Sequence, residues 1–340
     1  MFVHQSSCIS PQHTFGQVDL EKYVAPENNI LRVIEPKYDG IPLNILRRMG
    51  KAVRIGVGTS LPLINPLKPL DGIIIGSANG GMEDCIKFLN QIMEYEEGRL
   101  TPTNFVQSTP NAIAAQIGLT STNTGYNITH VHRGLAFENA MLDAMMMLAE
   151  NKNSSYLVGA VDEVSSYNYN LERLAGWYKK EMVTGRDLYD IKSNGSIAGE
   201  GAAMFVVNNE KEESLFEVKA IHMLHTDDPG ELTSQLKLFI GKHGNPDALL
   251  SGENGDVRLQ PFYSACESLI NPGVIFRFKH FTGEYPTSVS LGFWLAGKFL
   301  EAEKIPSHFF KGDPSRKSIN TILLYNTGKG EQHSFIFLKK

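Results

Sequence analysis

The chain has 340 residues, 42% of them hydrophobic and 20% charged, with a net charge of −5, enough to bury a sizeable core in one large or two ordinary domains. So mild an acidity gives no electrostatic reason to expect nucleic acid or an anionic membrane as a partner, and no stretch reaches the roughly 18 apolar residues of a membrane span. Three cysteines, Cys8, Cys85 and Cys266, are odd in number and lack metal-type spacing, so neither a disulfide framework nor a zinc ribbon is expected.

The N-terminus shows neither a basic leader nor a long apolar run, which with reduced thiols points to the cytoplasm. The sequons at Asn127 and Asn153 then read as chance matches. Residues 2–9 alternate as a first strand, and a Pro- and Asn-bearing passage to about Tyr38 has no clear period. Residues 42–57 begin as an amphipathic helix with a basic face of Arg47, Arg48, Lys51 and Arg54, and Gly50 and Gly56 weaken its later part. Asp71-Gly72-Ile73-Ile74-Ile75 is a buried-strand run that ends in Gly76-Ser77-Ala78-Asn79-Gly80-Gly81 and passes into a helix over 82–96. Without a following Lys-Ser/Thr or G-x-G-x-x-G spacing, that loop reads as a tight turn rather than a nucleotide site. A further helix is predicted near 111–117.

The stretch from Tyr126 is the centre of the sequence. Tyr126-Asn127-Ile128-Thr129 is strand-like, His130-Val131-His132-Arg133-Gly134 is a corner, and the next residues place apolar side chains at 135, 137, 140, 141, 144, 145 and 148. That is the period of a mostly buried helix, interrupted only by Glu138, Asn139 and Asp143. A sharp strand-to-helix corner aims a side chain at free amides and the positive helix end, a place where nucleophiles are kept. Val131 is the expected corner residue, flanked by His130 and His132.

Tyr156-Leu157-Val158-Gly159-Ala160-Val161-Asp162 is another buried strand, and the alternation implies parallel pairing with right-handed crossovers. After a strand at 202–207, a polar run from Asn208 to Ser214 divides the chain into halves 1–209 and 210–340. The second half repeats the alternation: strand 216–224, helix 231–242, strand 247–251, helices 260–270 and 286–303, then strands 319–325 and 333–338, with Pro286 at a first helical position. Two such halves suggest a duplicated architecture, although no residue-level repeat is present.

Four segments resemble one family in order and rough spacing over nearly the whole chain. The central strand, corner and helix resemble the nucleophile elbow of β-ketoacyl-acyl-carrier-protein synthases, and Gly199-Glu200-Gly201-Ala202-Ala203 resembles their Gly-Glu-Gly-Ala segment. Phe278-Lys279-His280-Phe281-Thr282-Gly283-Glu284 resembles their lysine motif ending in Gly-His, and Tyr325-Asn326-Thr327-Gly328-Lys329-Gly330 their C-terminal glycine-rich loop. The resemblance implies an α/β protein of thiolase fold, with a duplicated five-layer α-β-α-β-α architecture. In particular it resembles the shorter ketosynthase-like proteins of aryl polyene and flexirubin pigment clusters, among which chain-length-factor subunits occur.

The family's chemistry uses a cysteine thiolate to take the acyl chain and two histidines to stabilise the carbonyl oxygen that becomes enolate-like on loss of carbon dioxide. Aligning on Thr129 and Gly134 puts Val131 at the cysteine, and aligning on Lys279 and Gly283 puts Glu284 at one histidine. The other histidine falls near Gly252 or Glu253, and Lys279 alone matches. Valine cannot attack, and His130 and His132, one residue away, leave the strand in other directions. As a metal pair they lack a third ligand, and packed, hydrogen-bonded histidines are the plainer reading. Glu253 and Glu284 are general bases only if buried, and structural roles suit them at least as well. Cys85 and Cys266 read as small helix-borne hydrophobes, and Met145-Met146-Met147 as core or, in part, tunnel wall.

The expectation is therefore a ketosynthase-like subunit without its own condensing activity, resembling a chain-length factor in fatty-acid or polyene biosynthesis and needing no metal or cofactor. Its implied partners are an acyl carrier protein and an active ketosynthase in a heterodimer, or a second copy in a homodimer, with the strand at 156–161 pairing across the dimer axis. The alternatives are a divergent 3-oxoacyl synthase or acyltransferase using His130, His132 or Glu284, and a carrier-binding scaffold. The basic cluster at 47–54 is read as a solvated face in preference to a carrier dock.

Overall fold

The apolar runs become the ten strands of a mixed sheet. In the first half these are β1 (Phe2–Ile9), β2 (Gly72–Gly76), β3 (Tyr126–His130), β4 (Tyr156–Asp162) and β5 (Gly201–Asn208). In the second they are β6 (Phe216–His225), β7 (Ala248–Ser251), β8 (Val274–Arg277), β9 (Thr321–Gly328) and β10 (Gln332–Lys339). The helices that cover them are α1 (Lys51–Ser60), α2 (Met82–Glu94), α3 (Ala112–Ser121), α4 (Ala136–Glu150), α5 (Ser166–Leu174), α6 (Pro229–His243), α7 (Gln260–Glu267) and α8 (Val289–Glu301). The computed structural model describes residues 1–64, 69–96, 98–270, 273–313 and 318–340.

Strand order is β3-β2-β4-β5-β1 in the first half and β8-β7-β9-β10-β6 in the second, so the second repeats the first. Directions repeat as well. β2 is parallel to β3 and β4, and β5 is antiparallel to β4 and β1; β7 is parallel to β8 and β9, and β10 is antiparallel to β9 and β6. The copies join where Phe2 and Val3 pair with Glu217 and Phe216. The duplication missing at residue level is present as topology, which is the thiolase-type architecture implied above.

Three apolar clusters fill the space between layers. Phe137, Ala140 and Met141 of α4 and Phe293, Leu295 and Phe299 of α8 share one core with Val158 and Phe205 from the first half and Leu250, Ile322 and Ile336 from the second. On the far side of the first half, Val53, Ile55 and Val57 of α1 and Ile113 and Ile117 of α3 pack on Ile73, Ile75 and Leu157. Leu232 and Leu236 of α6 and Phe262 and Cys266 of α7 pack likewise on Leu249, Leu323 and Phe335. Ile74 faces the central core while Ile73 and Ile75 face outward, the alternation a strand imposes. Both faces are covered, which is why β2 and β4 read as unbroken apolar runs.

Three expectations need correction. Over 42–57 the first part forms only a single turn, Leu43–Leu46, and the glycine-bearing part is the real helix, α1. Its glycines serve close packing: a Cβ on Gly56 would come within 2.6 Å of Ile113 and one on Gly58 within 2.1 Å of the Tyr38 ring. α8 starts at Val289, past Pro286, because residues 285–288 form a turn closed by Ser288 N–H donating to Tyr285 C=O at 3.0 Å. The strand at 156–162, β4, lies between β2 and β5, so neither of its edges is free for another chain; the described sheet ends at β3 in this half and at β8 in the other.

Candidate active-site cavity

β3 ends at His130, two residues follow, and a 3-10 turn at Arg133–Leu135 leads into α4. Arg133 has φ +47°, the left-handed region that a Cβ disfavours. The corner therefore falls on Arg133 and not on Val131, whose side chain is 54% exposed. Arg133 and Gly134 line a cavity of about 560 Å³ together with Asn254, Glu284, Trp177 and Asn326. Val131, His130 and His132 do not line it.

Lys279 sits at the back of this site, fully buried. Its Nζ donates to Glu284 Oε1 at 3.0 Å and to Ser288 Oγ at 2.5 Å. Glu284 Oε2 accepts from Asn254 Nδ2 at 2.9 Å. Burial holds the Lys279 amine below the ordinary lysine value, and the Glu284 carboxylate opposes that shift. A carboxylate is an acceptor and would repel an enolate-like oxygen where a histidine would donate to it. Asn254 gives one of its two amide N–H donors to Glu284.

Glu253 stands elsewhere. Its side chain is buried against Lys311, 2.7 Å from Nζ, and Arg277, at 3.8 Å. The residue of this segment that reaches the cavity is Asn254, one position later. The Asn254-Gly255 pair, with Gly255 at φ +82°, was the only sequence mark of that turn.

The remaining motifs brace the site. Glu200 accepts from the amides of Val33 at 3.0 Å and Val164 at 2.9 Å and pairs with Lys51. A Cβ on Gly199 would lie 2.1 Å from Thr282 O, so only glycine permits this approach. Gly199 N then donates to Glu284 O at 3.1 Å, and Glu284 N to Ile197 O at 2.8 Å, which fixes Glu284. The glycine-rich loop after β9 lies against the corner, with Gly328 Cα only 3.1 Å from where a Gly134 Cβ would stand. Gly134 N donates to Gln332 Oε1 at 2.9 Å, so this helix-start amide already has an internal acceptor. Asp162 does the same for the Gly76–Gly81 loop, accepting from Ala78 N at 2.9 Å and Asn79 N at 2.7 Å.

His130 Nε2 lies 2.8 Å from Asp143 Oδ2, to which Tyr126 OH also donates. Asn139 Nδ2 donates to His132 Nδ1 at 3.0 Å, so that ring nitrogen is an acceptor. Cys8 and Cys266 are buried away from the cavity; burial pushes the Cys8 thiol up to about 12 and raises Cys266 too. Neither Cys85 nor any of Met145, Met146 and Met147 lines it. In the basic cluster, Arg54 is bidentate to Glu35 at 2.6 and 2.7 Å, so two of its four cations are bound internally. Among the described residues no three His, Cys, Asp or Glu side chains are placed to hold a metal, and no helix is long and apolar enough to cross a membrane.

Residues 25–175, which span β2, β3, the corner and α4, match the family model described as beta-ketoacyl synthase, N-terminal domain. Over that segment the chain is similar to β-ketoacyl synthases. The fold is shared from end to end with solved ketosynthases. The ishigamide ketosynthase/chain length factor matches with a TM-score of 0.81 at 15% identity, covering 100% of this chain and 98% of that one. A beta-ketoacyl synthase from Burkholderia phymatum STM815 matches at 0.79 and 13%, covering 100% and 98%. A ketosynthase in complex with its chain length factor from Xenorhabdus doucetiae matches at 0.76 and 9%, covering 99% and 97%. At such identities the likeness is one of fold. No curated relative matches the sequence.

Proposed function

We propose that this β-ketoacyl synthase-like chain is a non-condensing subunit of chain-length-factor type. It pairs with an active ketosynthase and shapes the tunnel in which carrier-borne acyl chains grow, in fatty-acid-like or polyene pigment biosynthesis. The observation that carries this reading is the corner residue. A guanidinium stays protonated and cannot attack a thioester, and no Cys, Ser or Thr lines the cavity among the described residues. The Lys279–Glu284–Asn254 network supports it further, since it contains no histidine donor for decarboxylation, and His225, which also lines the cavity, is not bonded to it.

The free edge of β3 is the surface for the partner. α3 and α4 pack beside it and carry exposed Leu119, Leu142 and Met146, and exposed Val131 follows its end. A second ketosynthase-fold chain would extend the sheet there and cover these side chains. Catalysis by His130 or His132 is disfavoured because both lie outside the cavity with partners of their own. The test is co-expression with a ketosynthase from the same gene neighbourhood, followed by mass spectrometry after incubation with acyl-carrier substrate. A mixed dimer whose acyl adduct sits only on the partner is expected. An adduct on this chain, or condensation by this chain alone, would sink the proposal.

A further inference from the structure

Among the described residues the cations around the cavity are neutralised, with one exception. Lys329 Nζ holds both Glu172 oxygens at 2.7 and 2.8 Å, Lys279 is taken by Glu284, and Arg258 by Asp256. Arg133 lines the cavity with neither a hydrogen bond nor an ion pair from its side chain among the described residues. Of the acids on the same wall, Glu172 and Glu284 are already paired, and Glu163 and Glu331 are not bonded to it.

Arg133 also occupies a strained backbone conformation, φ +47°, that glycine would adopt freely. What arginine adds at this corner is the guanidinium alone. The helix start beside it is no anion site of its own, since the Gly134 amide is bonded to Gln332. The rest of the wall includes apolar Val164, Leu171 and Pro286 and the rings of Trp177 and Tyr178. Leu171 is 66% exposed, apolar surface left uncovered by the described residues.

We infer that this cavity binds a small carboxylic acid with an apolar body, reversibly and without a covalent bond. The planar fork of Arg133 meets both carboxylate oxygens, and the apolar and aromatic wall takes the body. The volume of about 560 Å³ lies within the range of small-molecule sites. This goes beyond the pairing proposed above and does not require a partner, so it is tested on the full chain by itself.

Isothermal titration calorimetry with octanoate, 1-octanol and inorganic phosphate is the measurement. Octanoate is expected to bind saturably, with octanol and phosphate each at least about tenfold weaker. Arg133→Ala should weaken octanoate about tenfold or more and leave octanol unchanged, and Arg133→Lys, which keeps the charge without the fork, should fall between. Arg133→Gly guards against a folding artefact, because it relieves the backbone: it should raise the melting temperature and still lose octanoate. No saturable octanoate binding, equal affinity in Arg133→Ala or Arg133→Gly, or phosphate binding as tightly as octanoate would each overturn the inference.

Discussion

The Lys279 ammonium lies 3.0 Å from the Glu284 carboxylate, with the lysine side chain fully buried and the glutamate 23% exposed. The pair is therefore asymmetric. Removing the carboxylate leaves the buried cation with Ser288 Oγ and the face of the Phe278 ring, whereas removing the lysine leaves a carboxylate that keeps Asn254 and some solvent. Stranding a buried charge costs about 3–5 kcal/mol. We expect Glu284→Gln to approach the lower end of that range and to destabilise more than Lys279→Met, as read from urea unfolding midpoints. Equal losses would show that burial of the lysine does not set the energetics of this pair.

Arg133→Cys places a thiol at the corner. It should be alkylated by iodoacetamide faster than Cys8 or Cys266, both of which are buried with raised thiol pKa values. Even so, carbon dioxide release from malonyl-carrier substrate should stay near the wild-type rate, because Glu284 sets an acceptor carboxylate where an enolate-like oxygen needs charged or paired donors, and a single remaining Asn254 N–H does not replace two histidines. Release at a rate well above wild type would mean that the missing thiol was the only defect.

The β3 edge makes a separate prediction about association. Val131 and Met146 are 54% and 59% exposed, so Val131→Asp and Met146→Asp should leave the melting temperature of the lone chain within about a degree of wild type. In a co-expressed pair the same changes should lower the mixed-dimer fraction, measured by native mass spectrometry, since two buried carboxylates would have to be desolvated. An unchanged fraction would place the partner on another surface.

What was legible in the sequence follows from the range of the interactions involved. β1 and β4 could be read because alternation and two-sided burial are written into adjacent residues. α1 was harder, since Gly56 looks like a breaker until Ile113 is seen to press on it. Which strand has a free edge depends on order across the whole sheet, and local sequence does not contain it. The left-handed backbone at Arg133 was not legible, since it is one φ angle that arginine does not advertise. Glu253 and Asn254 differ by one position, yet in a chain leaving a strand one position is the difference between facing Lys311 and facing the cavity.

Glu138 gives a pH-dependent test. It lies one turn into α4, fully buried, with Oε1 accepting from Ser334 Oγ at 2.5 Å and Oε2 without a partner among the described residues. Burial pushes its carboxyl from 4.5 up to about 7. Between those values the folded chain keeps a proton that the unfolded chain has lost, so stability falls as pH rises through the window and stays low above it. Glu138→Gln mimics the protonated form and should not show that loss. Its stability advantage over wild type should widen by roughly 2 kcal/mol from pH 5.5 to pH 8. Glu163, also raised to about 7 by burial, and the buried His280 and His308, both lowered by burial, shape the profile of each protein alike and cancel in the difference. Urea denaturation of both proteins at the two pH values is the measurement, and a difference that does not change with pH would mean that Glu138 titrates as an ordinary carboxyl.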